Sequence, residues 1–470
     1  MSFSIYWYSN SIGNNMASSL LTENRMDNRL SSLRTRFSNW RPQEDQINNW
    51  ANHLLVVFFF ALPALIDVRR SALFLILVLF VMRGRWTGHI KKALQDPVAL
   101  AFALYFLVHV IWLVGTDDWD YAKKVLHDAA FLLYPVLFAG FIDRRFVPRM
   151  LWAFFLGMTV SIAWSFGISL ELVRAAVPEG RPLDPTPAWH HTHYGFLLAV
   201  AAAIALHGAL NREMKRWPRT ALTLIFLGAS INVFIAEGRT GYVLYAVLVV
   251  LVLTLRFGRR AKVAAPAGIL ALAMVMLAAY HVSETFRSRV DRTMESVELL
   301  ASKGNYDTAI GWRTAILVYS WPLIRKTWVS GLGTADDRQA VIDAIHLSNV
   351  EISGDIHRLQ HVHNEYLSAL LQFGIVGLLV FANLLVQLWR GKKARPNGHI
   401  LAILAVAVGL FSLADVFVIG LAALHTTAAM ASLALKGYET SVPRFQNLDL
   451  RQAGMYVMVT AAFLALSLAG

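Results

Sequence analysis

Cysteine is missing altogether from the 470 residues. Its absence excludes disulfides, thiolate metal sites and a cysteine nucleophile. Charge is scarce too: Asp, Glu, Lys and Arg make up 16% of the chain, where a soluble domain carries about 25%. No internal repeat or low-complexity tract is visible, which weakens a transporter built from inverted repeats. Nor is there a basic start followed by an apolar run, so no cleavable signal peptide is evident. We read residues 1–48, polar and mixed, as a cytoplasmic tail, largely unstructured or partly amphipathic. Met16 or Met26 could serve equally as the start.

What is abundant is apolar sequence. Hydrophobic residues form 56% of the chain and the mean hydropathy is +0.49. Repeated apolar runs are each about long enough to cross a ~30 Å hydrocarbon core. They lie near 50–66, 70–83, 97–115, 127–142, 149–172, 194–210, 219–236, 241–256 and 263–281, then near 365–389, 399–416, 418–436 and 453–469. The expectation is an all-α polytopic membrane protein with about twelve, at most thirteen, transmembrane helices. Residues 49–281 would hold the first nine and 363–470 the C-terminal ones.

The formal charge of +13 could point to nucleic acid, but its distribution argues against that partner. Basic clusters at Arg83/Arg85/Lys91/Lys92, Arg144/Arg145/Arg149, Arg212/Lys215/Arg216/Arg219, Arg256/Arg259/Arg260/Lys262 and Arg390/Lys392/Lys393/Arg395 fall on every second loop. That is the positive-inside pattern, with the N-terminus inside. Arg69 and Arg70, on a tight turn, break it. The loops 116–126, 173–193, 236–240 and 282–362 would then face outward. The last is the one extensive extramembrane segment, with short helices such as "WRTAILVYSWPLIRK" and "DDRQAVIDAIH" around the Gly-rich "VSGLGTA".

Outward arginines run against the topological bias. "EGRTGY" places Arg239 in a tight turn, "FRSRVDRTM" supplies Arg287, Arg289 and Arg292, and "AIGWRTA" supplies Arg313. A guanidinium fork matches phosphate oxygens and stays charged when partly desolvated. Convergent arginines would suit a lipid-linked phosphate or pyrophosphate; snorkelling, or contact with anionic headgroups of membrane lipids, is the alternative.

In "RLQHVHNEYL", Asn364 suits the N-cap of a helix beginning at Glu365, so His363 stands just outside the helix N-terminus. The positive helix end disfavours imidazolium, and a neutral imidazole can accept a proton from a hydroxyl. An interfacial histidine satisfied by a carbonyl is the plainer reading. His361, two residues earlier, is expected to point elsewhere. "PTPAWHHTHYGF" adds His190, His191 and His193 without a recognisable zinc spacing. A carboxylate ligand would have to come from elsewhere, such as Asp184, so substrate lining by His191 and His193, or interfacial packing, is favoured. "TDDWDY" offers Asp117, Asp118 and Asp120 for Mg²⁺ or Mn²⁺, but Lys123 and Lys124 make a self-neutralised loop an equal reading.

The ordered elements "RTG", "GWRTA…WPLI…GLGT…HNEYL…FGIVGLL", from about Arg239 to Leu379, resemble the O-antigen ligase and polymerase superfamily. The resemblance implies a GT-C-type membrane glycosyltransferase of the bacterial (Gram-negative) inner membrane, with its active site facing the periplasm beneath the large loop. It implies a donor glycan carried on undecaprenyl diphosphate and, for a ligase, lipid A–core as acceptor in lipopolysaccharide biosynthesis. His363 corresponds to the family's essential histidine, Arg239 to the arginine of the small turn and Arg313 to the arginine of the loop. The implied reaction is inverting and needs no metal, nucleotide or other cofactor. Asn364, His361, Arg287, Arg289, Arg292, His191 and His193 complete the expected substrate surface.

One dominant outer loop favours a ligase over a polymerase, and the lack of an added soluble domain disfavours a pilin or protein oligosaccharide ligase. A lipid-linked oligosaccharide transporter would need buried charges along a path, for which Asp67 and Asp415 are the candidates.

Overall fold

The computed structural model describes residues 43–178, 180–348, 359–393 and 395–436. Most of the expected N-terminal tail and the expected span near 453–469 lie outside the described residues. Within them the chain is helical, and β-pairing is limited to an isolated bridge between Arg181 and Asp184. The helices are α1 (Glu44–Ala61), α2 (Ile66–Arg83), α3 (Trp86–Ala93), α4 (Pro97–Ile111), α5 (Trp119–Ala129), α6 (Tyr134–Ala139), α7 (Val147–Ser169), α8 (His191–Ala209) and α9 (Arg216–Ile235). They continue with α10 (Arg239–Phe257), α11 (Ala261–Val282), α12 (Glu284–Lys303), α13 (Ala309–Thr327), α14 (Asp337–Leu347), α15 (Glu365–Gly391), α16 (Gly398–Phe411) and α17 (Leu421–Lys436).

Six of these, α7 to α11 and α15, are long and apolar enough to cross a membrane. A seventh span results if α3 and α4, bent by 108° at their junction, are taken together. This is fewer than the twelve or thirteen expected, for identifiable reasons. α2 carries Asp67, Arg69, Arg70 and Arg83. The run at 127–142 is divided between the end of α5, a 3₁₀ turn at 130–133 and the six-residue α6. The last two described runs become helices of 14 and 16 residues. Apolarity reports burial in protein as well as exposure to lipid, and α17 is buried almost throughout by its neighbours.

α8 is the centre of the bundle. Its "GFLLAVAAAIA" stretch is rich in small side chains and buried from Gly195 to Ala205, which lets α9, α10, α16 and α17 close around it. The approach to α10 is closest at a glycine pair: a Cβ on Gly241 would lie 2.8 Å from the Gly195 Cα. α11 is the opposite case. None of its residues is buried, and Ile269, Leu270, Met274 and Leu277 are exposed, as on a face that meets lipid.

α15 is broken. Gly374 has φ 62° and ψ −159° inside it, which leaves backbone groups around the break without helical partners. The "VSGLGTA" loop supplies them. Leu332 N–H donates to Leu371 O (2.8 Å), Gly333 N–H to Gln372 O (3.1 Å) and Ile375 N–H to Trp328 O (2.7 Å). The fit demands glycine on both sides, since a Cβ at Gly331 would lie 2.2 Å from Gln372 O and one at Gly374 2.4 Å from Val329 O. The Gln372 side chain accepts from Ala335 N–H (2.7 Å), while Thr334 N–H donates to Trp112 O beyond α4 (3.0 Å). The segment between α11 and α15 is therefore laced into the bundle.

Candidate functional site

The starts of α8, α10, α15 and α17 and the ends of α4, α9, α11 and α16 come together at one end of the bundle. Several of the polar residues singled out in the sequence gather there in two centres, one at Asp415 and one at Asp184 with Glu237.

The first is Asp415, in the link between α16 and α17. Its Oδ1 lies 2.6 Å from His361 Nε2 and 3.5 Å from His363 Nδ1, and its Oδ2 lies 3.7 Å from His193 Nε2. Burial alone would raise the Asp415 carboxyl, but the contacts from His193, His361 and His363 hold it well below the usual carboxylate range. His361 thus does not point away: its ring and that of His363 are 4.3 Å apart. The reason is local backbone. His363 has φ 50°, in the left-handed region, so the chain is neither extended nor helical there, and both rings turn to the same carboxylate. A non-glycine residue in that region is a conformation concentrated at functional sites.

Asn364 caps α15, accepting from Leu367 N–H at 3.0 Å. Glu365, which the sequence reading passed over, is buried and pins the helix start. Its N–H donates to Ser412 O (2.9 Å), its carboxylate accepts from Val418 N–H (3.3 Å) and the Tyr105 hydroxyl donates to it. His363 is therefore fixed on its C-terminal side by bonds to the same link that carries Asp415.

The second centre is Asp184 with Glu237. Asp184 meets His191 Nδ1 at 3.1 Å and accepts from Glu237 N–H at 3.0 Å. Arg181 (3.3 Å) and Arg289 both pair with Glu237. The His190–His193 motif is thereby shared out: residues two apart on α8 point to opposite sides, so His191 serves this centre and His193 the other. Gly238 allows the contact, since a Cβ there would lie 2.6 Å from His191 O.

Arg239 opens α10 directly after this centre and feels the charges of Arg313 and Arg292. Arg292 is exposed and bonds Ser288, while Arg287 is exposed on the opposite side of α12. Arg289 is committed to Glu237. Arg313, near the start of α13, lines two adjoining cavities with His363. One, of about 230 Å³, is lined also by Ile310, Thr314, Val362, Asn364, Leu367 and Leu413; the other, of about 430 Å³, also by Asp307, Thr308, Ala309 and Trp312, and both are open to the surface.

Among the described residues two groups have metal-ligand spacing: His361, His363 and Asp415, and Asp184, His191 and Glu237. In the second, two arginines already neutralise Glu237. Two of the three "TDDWDY" acids are used otherwise. Asp118 caps α5 through Tyr121 N–H (3.0 Å), and Asp120 pairs with Lys123 (2.9 Å). Asp67 is exposed and pairs with Arg70, and Asp415 lies between helices, so neither is a mid-span charge. Sequence reasoning missed the role of Asp415 because 52 positions separate it from His363, and no local pattern joins them.

Residues 222–382 match the family model described as O-antigen ligase. No curated protein matches the chain. The matched stretch contains Arg239, Arg313, His361 and His363, and leaves His193 and Asp415 outside it. Over this stretch the chain is similar to the O-antigen ligase family.

Proposed function

We propose that this protein is an inverting glycosyltransferase that moves a glycan from undecaprenyl diphosphate to lipid A–core at the periplasmic face of a Gram-negative inner membrane. The observation that carries the reading is that His363 and Arg313 are the two residues common to both cavities. A proton acceptor and a fixed cation then face one space, as transfer from a diphosphate requires.

His363 Nδ1 faces the Asp415 carboxylate at 3.5 Å without a direct hydrogen bond, and the negative charge there favours the proton on that nitrogen and leaves Nε2 to accept. The acceptor hydroxyl gives its proton to Nε2 as its oxygen attacks the anomeric carbon. The bond from that carbon to the phosphate oxygen breaks, and its electron pair leaves with the diphosphate. Attack opposite the leaving group inverts the carbon. Arg313 and Arg239 hold the diphosphate and offset the charge it gains, an electrostatic contribution made largest where water is excluded. Because the diphosphate is already an activated leaving group, neither nucleotide nor metal is needed.

The test mixes purified protein, undecaprenyl-diphosphate glycan and rough lipopolysaccharide, without nucleotide. Glycan joined to lipid A–core is the expected product. Elongated undecaprenyl-linked glycan would identify a polymerase instead, and no transfer to either acceptor would overturn the reading.

A further inference from the structure

The centre at Asp415 has more donor capacity than this reaction uses. Transfer needs one free ring nitrogen on His363, yet three imidazoles converge on one carboxylate. His361 Nε2, His363 Nδ1 and Asp415 Oδ1 lie within 4.8 Å of one another, with His193 Nε2 3.7 Å from the second oxygen. The Nδ1 atoms of His361 and His363 are both buried without a hydrogen-bond partner. A tetrahedral zinc ion with bonds of about 2.0–2.1 Å holds its donors roughly 3.3 Å apart. The 3.5 Å separation of His363 and Asp415 is already close to that value, and the 2.6 Å pair has to open by only about 0.7 Å.

From this we infer that His361, His363 and Asp415 form an inhibitory binding site for Zn²⁺. The inference rests on the reading of His363 as the base. Zinc would take the lone pair of His363 Nδ1, and a neutral imidazole keeps one N–H, so the proton must then sit on Nε2. In that tautomer Nε2 donates and has no lone pair for a hydroxyl proton. The ring changes tautomer without net loss of a proton, and nothing is oxidised or reduced. Zinc binding and base catalysis are thus alternative uses of one ring. Imidazole and carboxylate donors suit Zn²⁺, whereas Mg²⁺ prefers an all-oxygen shell, so the site discriminates between the two.

The test titrates the metal-free, full-length protein in detergent with Co²⁺, followed by its visible absorption, and then with Zn²⁺. Saturable 1:1 Co²⁺ binding with a tetrahedral spectrum, displaced by Zn²⁺, is expected. His361→Ala should weaken Zn²⁺ binding more than about 100-fold, since even outer-shell losses cost 10–100-fold. His191→Ala, at the other centre, should leave it intact. Absence of saturable binding, or binding unchanged in His361→Ala, overturns the site. The wild-type melting temperature, with and without Zn²⁺, makes the test independent of whether a variant folds: a rise is expected, and no change counts against the site. In the transfer assay saturating Zn²⁺ should stop the reaction and EDTA restore it. Full transfer with Zn²⁺ bound overturns inhibition. Zinc binding in a protein that transfers nothing would support the site and overturn the functional reading.

Discussion

His361 Nε2 and Asp415 Oδ1 stand 2.6 Å apart, and the same oxygen lies 3.5 Å from His363 Nδ1. The carboxylate is therefore fixed by one histidine while it orients the other. Asp415→Asn removes the charge proposed to select the His363 tautomer. General-base catalysis is worth about 10²–10⁴-fold, so a fall in kcat of at least roughly 10² is expected, with KM for the donor little changed. His363→Ala should abolish transfer. Laddered lipopolysaccharide from a ligase-null strain carrying His363→Ala would remove that residue from the mechanism.

Arg239 and Arg313 are expected to act on the leaving diphosphate, so each alanine variant should lose about 10²–10³-fold in turnover. Arg216→Ala, at the exposed start of α9 on the opposite end of the bundle, serves as the control and should be fully active. Equal activity of all three variants would remove the diphosphate role.

The α8–α10 crossing gives a stability prediction. A Cβ on Gly241 would meet the Gly195 Cα at 2.8 Å, whereas one on Gly88 meets nothing within 4 Å. Overpacking costs about 1–3 kcal/mol, so Gly241→Val should lower the melting temperature while Gly88→Ala does not. Matching melts for the two variants would show that the helices part without cost.

Asp337 supplies the pH dependence. Burial raises its carboxyl above the ordinary 3.8, despite hydrogen bonds involving Ser368 and Gln372. The folded value exceeds the unfolded one, so the contribution of the protonated group is full below pH 3.8 and is lost as pH rises through the folded value. Asp337→Asn cannot ionise. Melting curves from pH 3.8 upward should show the wild type losing ground relative to the variant, and parallel curves would rule this out.

Transfer should persist in EDTA at its metal-free rate. Loss of activity that Mg²⁺ restores would instead promote Asp117 and Asp118 to ligands.

Legibility in the sequence followed locality. The Asn364 cap and the helices around Trp312 and Asp337 could be read because caps and helical periodicity are written in a few neighbouring residues. Among the described residues six or seven of the expected spans have the length and hydropathy of a membrane crossing, and a shorter run such as α17 is buried among protein neighbours. The convergence of His193, His361 and His363 on Asp415 was not readable, since it needs three separate segments and a left-handed residue. The split of the His190–His193 motif between two carboxylates was hidden for the same reason.

The break at Gly374 lies three helical turns beyond the cap at Asn364, about 15 Å along the axis. A continuous helix would transmit any shift in the membrane half of α15 straight to His363. Here the helix is interrupted, and both sides of the break bond the same loop, the proximal one through Leu371 and Gln372 and the distal one through Ile375, while the loop itself is held to the end of α4. The helix start behind His363 is thus referenced to the loop as well as to the far half of its own helix. A shift in the far half of α15 therefore has to pass through the hydrogen bonds of the glycine-rich loop as well as along the helix before it reaches His363.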